Sequence, residues 1–246
     1  MAASKPVAFI VGAGDYIGAA IAKKFAAGGF TVCVGRRNFD KLFPLVNEIK
    51  ASGGQAIPFK FDARDEEMTQ DIFKKIENKV GPLDLVVFNP GGNVYFPIAD
   101  TTARVFRKVW EMSCFAGFLT GREAAKYMVP RERGSIFFTG ATASVRGSSG
   151  YSAFSSGKFG LRALSQSMAR ELGPKNIHVA HLVIDSPVDT AFVRKIYKNK
   201  GIDANELPED TLMKPESIAD TYWYLHHQNR DGWTNELDLR PHGEKW

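Results

Sequence analysis

The feature that most narrows the fold is an alternation of two kinds of segment. Short, almost wholly apolar runs at residues 7–11, 30–34, 56–61 and 85–88 are each followed by a longer stretch with apolar side chains at helical spacing: 17–27, 40–51, 68–80 and 103–128. The pattern resumes with runs at 135–139 and 179–184, and with helical stretches at 153–172 and 215–227. Strands buried on both faces read as continuous apolar runs, and helices between them give parallel crossovers. The expectation is an α/β fold: a doubly wound, mostly parallel sheet in a single domain spanning residues 1–246. Residues 232–239 are expected to form a terminal edge strand. The segment at about 189–213, charged and broken by Gly201 and Pro208, reads as a mobile cover of short helices.

Composition fits that frame and excludes several function classes. The chain has 246 residues, 44% of them hydrophobic and 24% charged, enough for one large core. The net charge is +5, and the densest basic cluster is Arg194, Lys195, Lys198 and Lys200. No zinc-ligand spacing, arginine-rich tail or RNA-reading aromatic motif accompanies it, so it reads as a solvated helix face and no nucleic-acid partner is expected. Two cysteines, Cys33 and Cys114, make no disulfide framework and suit a reducing compartment. Residues 1–6 are too short and polar to be a signal peptide, and no run approaches 18 apolar residues. A cytoplasmic protein without a membrane partner or a metal site is the expectation.

Between the first strand and first helix stands Gly12-Ala13-Gly14-Asp15-Tyr16-Ile17-Gly18. A strand that turns sharply into a helix leaves amide N–H groups unpaired at the helix start, where the helix dipole favours a phosphate. Gly12 suits the turn and Gly18 a close approach, although Ile17 occupies the last position of the ordinary Gly-x-Gly-x-x-Gly spacing. At the end of the second strand, an acid would bind ribose hydroxyls and repel a 2′-phosphate. This chain has Gly35-Arg36-Arg37-Asn38 there, and guanidinium groups pair well with phosphate. The expected cofactor is therefore NADP(H), with NAD(H) second, on a Rossmann-like fold.

Together with Asp62, the Asn89-Pro90-Gly91-Gly92 turn and the segment from Tyr151 to Lys158, these features resemble the short-chain dehydrogenase/reductase family over almost the whole chain. The resemblance implies that Gly12 and Gly18 match the outer glycines of the cofactor loop, with Tyr16 at the middle one and Gly14 at a variable position. It implies adenine contact at Asp62-Ala63, a cofactor-side turn at Asn89 and Gly91, ribose contact by Lys158, and a nicotinamide contact by Thr190. It also implies a homodimer or homotetramer built on the helices at 103–128 and 153–172 and the final strand; the aromatic end at Trp246 is expected either to cross a subunit boundary or to close the core.

The reaction centre departs from the pattern. The family's proton donor is a tyrosine four residues before the lysine, and here that position is Phe154. Ala141 stands at the serine position and Ser113 at the asparagine position. Candidate substitutes are Tyr151, which precedes Phe154 by three residues, Thr142 beside Ala141, and Asp185. For Asp185 a cap or turn role is the stronger reading. Tyr95, Phe96, Phe192 and Tyr197 are candidates for lining an apolar substrate cavity, or for filling core. Two functions remain open: an NADP(H)-dependent oxidoreductase acting on a small carbonyl or alcohol by an altered proton route, and a catalytically silent NADP(H)-binding regulatory or scaffold protein. A structural protein that binds no nucleotide is a third.

Overall fold

The computed structural model describes residues 5–243; the expected signal-peptide absence at the first residues and the expected role of Trp246 lie outside them in whole or part. Seven strands form one parallel sheet: β1 (Val7–Val11), β2 (Thr31–Arg36), β3 (Gln55–Lys60), β4 (Leu83–Phe88), β5 (Gly134–Thr139), β6 (Ile177–Ile184) and β7 (Glu236–Leu239). Their order is β3-β2-β1-β4-β5-β6-β7, so the winding reverses between β1 and β4. In such a sheet the crevice at the carboxyl ends beside the reversal is where ligands settle.

Side chains along β1 alternate between the two faces, as a strand's period of two requires. Ala8 and Ile10 join the core beneath α1 (Ile17–Ala27), α2 (Phe43–Ala51) and α8 (Pro215–His226). Val7, Phe9 and Val11 join the opposite core, beneath α3 (Glu66–Lys79), α5 (Ala116–Met128) and α6 (Ser152–Leu172). Burial on both faces explains why the strands read as unbroken apolar runs.

Several expected boundaries change. The single helix expected at 103–128 is three pieces: α4 (Ala103–Trp110), a wide π-type turn at Glu111–Phe115, and α5. Residues 40–51 begin with a tight turn at Asp40–Leu42 before α2 starts, and Pro44 occupies its first turn, where no amide donor is needed. The cover contains one regular helix, α7 (Ala191–Asn199), and closes with a bridge between Val188 and Met213. Within the strand expected at 232–239, Glu236–Leu239 pairs with β6, while Arg230–Gly232 forms a separate tight turn. Among the described residues no helix is long and apolar enough to cross a membrane, and no cluster of potential metal ligands occurs.

Candidate functional site: a two-part cleft at the sheet reversal

The glycine loop leaves β1 beside this crevice. Gly12 turns at φ +78°, and a Cβ there would meet the Pro90 ring at 3.0 Å. Gly18 permits the closest approach in the loop, because its Cβ would lie 2.5 Å from the Gly12 carbonyl oxygen. Gly12 and Ala13 donate their amides to the Gly35 carbonyl at 3.0 and 3.1 Å, pinning the loop to the end of β2. α1 starts without a side-chain cap, so the Ile17 and Gly18 amides are the orphan donors of a helix start. The cradle that a Cβ would fill and the uncapped helix start both fit a diphosphate.

Beside the end of β2, a cavity of about 280 Å³ is lined by Gly12, Gly14, Arg36, Arg37, Asp62, Ala63 and the Asn89–Gly91 turn. The two expected arginines separate here. Arg36 donates to Asp15 at 2.6 Å, and that hydrogen bond holds the Asp15 carboxyl below its ordinary pKa. Arg37 is exposed and free of any ion pair among the described residues, leaving it as the guanidinium available to a phosphate. Asp62 is likewise engaged: Arg64 clasps both carboxylate oxygens at 2.9 and 2.6 Å, and this lowers the Asp62 pKa. Arg64 was not legible as a site residue from sequence, although its spacing of two from Asp62 is the signal that could have shown it.

Asn89 ties the loops together: its side chain donates to the Gly12 carbonyl at 3.0 Å and its amide to the Val11 carbonyl at 3.0 Å. Beside it, Lys158 on α6 is buried and donates to the Thr139 carbonyl at 2.7 Å and the Pro90 carbonyl at 3.2 Å. Burial without a carboxylate partner pushes its pKa down to about 8. A second cavity of about 310 Å³ brings together Asp15, Tyr16, Ile17, Gly18, Asn89, Lys158, Phe154 and Thr190. Residues 175 positions apart in sequence thus meet across one opening: the Ala191 amide donates to the Tyr16 hydroxyl at 2.8 Å.

The reaction half is different. Phe154 is buried, and the Lys158 ammonium lies 5.9 Å from its ring centroid, a cation–π arrangement. Ala141 has no side-chain donor, and its amide is taken by Ser144 Oγ at 3.2 Å. Ser144 also meets the buried His181 at 3.3 Å; burial drives that imidazole down to a pKa of about 3, so it stays neutral. Ser113 lies in the π-type turn, fully buried and without a hydrogen-bond partner for its hydroxyl. It packs under Gly157, whose Cβ would come within 2.7 Å of Ser113 Cβ.

Beyond Phe154, a cavity of about 230 Å³ is lined by Ala141, Thr142, Ser148, Tyr151, Ser155 and Ser186 among others. Tyr151 is the residue just before α6 and packs edge-on against Tyr95 at 5.4 Å. Tyr151 and Thr142 are therefore brought to the same space as Phe154, whereas Asp185 is not available: it is buried in an ion pair with Arg240 at 2.7 Å. The expected aromatic lining is corrected as well. Tyr95 and Phe192 are 60% and 62% exposed, and neither they, Phe96 nor Tyr197 lines this cavity. Polar hydroxyls line it instead, because the loop after β4 carries Tyr95 and Phe96 out towards solvent. Thr190 caps α7 by accepting the Val193 amide at 3.1 Å while facing the Lys158 cavity.

The description "short chain dehydrogenase" attaches to the family model that matches residues 6–201. The chain belongs to that family. Its fold recurs in solved structures. One is a short-chain dehydrogenase from Rhodopseudomonas palustris, 50% identical, with TM-score 0.82 over 96% of this chain and 99% of that one. A metagenomic short-chain oxidoreductase in complex with NADP is 25% identical, with TM-score 0.82 over 97% of this chain and 98% of that one. A 7α-hydroxysteroid dehydrogenase complexed with NADH is 26% identical, with TM-score 0.85 over 96% of this chain and 93% of that one. Family members of this kind hold a nicotinamide dinucleotide of either type.

Proposed function

We propose that this short-chain dehydrogenase relative binds NADP(H) and transfers hydride between it and a small carbonyl or alcohol, with Tyr151 in place of the usual proton donor. The observation that carries this reading is the meeting of Tyr151, Thr142 and Phe154 on one cavity, next to the opening where Lys158 faces the glycine loop. In the reading, the amides of Ile17 and Gly18 hold the diphosphate and Arg37 reads the adenosine phosphate. Asp62, Ala63, Asn89 and Gly91 shape the adenosine slot, Lys158 holds ribose hydroxyls and Thr190 borders the nicotinamide. The nicotinamide supplies or accepts hydride. Tyr151 gives the proton to the oxygen that becomes an alkoxide, and Thr142 orients that oxygen. Preference for NADP(H) over NAD(H) rests on Arg37 together with the absence of an acid at the end of β2.

The test is NADPH oxidation across a panel of small aldehydes and ketones, repeated with Tyr151→Phe. Loss of a positioned donor costs about 10²–10⁴ in rate, so a Tyr151→Phe variant as fast as wild type removes Tyr151 from the mechanism.

A second reading is favoured by the substitutions themselves. A phenyl ring at 154 and a methyl at 141 supply neither a proton nor a carbonyl contact, and the Ser113 hydroxyl is sealed under Gly157. In this reading the protein holds NADP(H) without turning it over and acts as a cofactor-dependent regulator or scaffold. Tight NADPH binding with no oxidation across the panel would support it.

Self-association belongs to either reading. Phe106, Trp110, Phe118 and Phe159 on α4, α5 and α6 are each about two-fifths exposed, an aromatic face that fits a second copy of the chain, as a homodimer or homotetramer in the cytoplasm. Light scattering coupled to gel filtration distinguishes this from a monomer.

A further inference from the structure

One side chain joins the glycine loop to the cover. The opening amides of a helix have no carbonyl ahead of them and must find other acceptors. In α7 the Val193 amide bonds Thr190 Oγ1 at 3.1 Å and the Arg194 amide bonds the Thr190 carbonyl at 2.9 Å. The Ala191 amide instead reaches the Tyr16 hydroxyl at 2.8 Å, so part of the cap of α7 comes from the loop that opens α1. Tyr16 also lines two cavities, one shared with Lys158 and Thr190 and one shared with Lys23 and Asp189. A hydroxyl that accepts one hydrogen bond keeps its own proton to donate, here beside the uncapped start of α1.

The geometry points to Tyr16 as a positioning residue whose hydroxyl docks the cover helix α7 on the glycine loop, so that this bond sets how fast a dinucleotide enters and leaves the cleft. The claim about rates rests on the cofactor reading above; the docking of α7 does not.

A double-mutant cycle separates the two. Tyr16→Phe removes the acceptor and keeps the ring. Ala191→Pro removes the donor at a first helical position, where proline is well tolerated. Thr190 before it is already extended, at φ −137° and ψ 155°, as a residue preceding proline should be. Without cofactor, each single variant is expected to raise amide exchange over residues 192–199 by about fivefold, the worth of one net hydrogen bond. The double variant should exchange no faster than either single one, and α6 should be unchanged in all three. Stopped-flow release of NADPH should quicken by a similar factor in every variant. Unchanged exchange in a single variant, additive effects in the double, or NADPH release indifferent to all three would overturn the proposal. Wild-type protein that binds no NADPH would overturn the rate claim together with the cofactor reading, and the exchange data would then decide the docking of α7 alone.

Discussion

The two halves of the cleft differ in what their side chains offer. On the β1–β3 side the backbone is arranged for a dinucleotide: the Gly12 turn, the close pass of Gly18, the uncapped α1 start and an exposed Arg37. On the β5–β6 side, Ala141, Phe154 and Ser113 bring a methyl, a phenyl ring and a buried, unpartnered hydroxyl. Lys158 lies on the seam and has kept its place through two backbone carbonyls instead of a phenolic neighbour. Binding and chemistry in this fold therefore rest on separate groups, and one can be altered while the other's frame persists.

The largest expected effect comes from restoring the altered half. Phe154→Tyr with Ala141→Ser should raise NADPH-dependent carbonyl turnover by about 10²-fold or more, since a positioned proton donor and a carbonyl contact are each worth factors of that order. A double variant no faster than wild type would show that the reaction half has lost more than its side chains.

Next comes the seam. The folded pKa of Lys158 is about 8, below its ordinary value of 10.5. Below pH 8 both folded and unfolded chains carry the proton, so the cost of the buried cation is fully present. Between pH 8 and 10.5 the folded chain releases it first, and stability rises with pH. Relative to Lys158→Met, wild type should gain up to about 3 kcal/mol across that window, read from urea unfolding at each pH. A difference that stays flat with pH would mean the ammonium is not desolvated as the structure places it.

The intact half should be the more fragile to small steric changes. Gly18→Ala places a methyl against the Gly12 carbonyl and is expected to cost about 1–3 kcal/mol in stability, with a larger loss in NADPH affinity. Gly147, whose Cβ would meet nothing within 4 Å, is the control at the edge of the other half. Equal tolerance at both positions would blur the contrast. The smallest effect is expected at Arg37: because it is exposed and screened, Arg37→Ala should weaken NADPH about tenfold at low salt and leave NADH unchanged. Equal weakening of both would assign it to the diphosphate instead of the adenosine phosphate.

Much of this was readable before any coordinates. The helix at 17–27 and the strand at 7–11 are signalled by sharp changes of period on either side of glycine, and both occur at those bounds. That Phe154 and Lys158 share one face of α6 is visible too, because four residues along a helix fix one face. What the sequence hides is pairing between distant polar groups. Nothing local says that Arg36 will turn back to Asp15 or that Tyr16 will reach the amide of Ala191. The break between α4 and α5 is also invisible, because no glycine or proline marks the π-type turn at Glu111–Phe115. Asp185, with Arg240 beside it in space and 55 residues away in sequence, belongs with these.

The most direct test of the dinucleotide cleft is calorimetric titration of the wild-type protein with NADPH, paired with a thermal melt at saturation. The expected result is one binding site per chain and, at a hundredfold excess over Kd, a gain of about 2.7 kcal/mol, or roughly 5–10 °C in Tm for a domain of this size. Neither heat nor a shift in melting, with the protein otherwise folded, would contradict it.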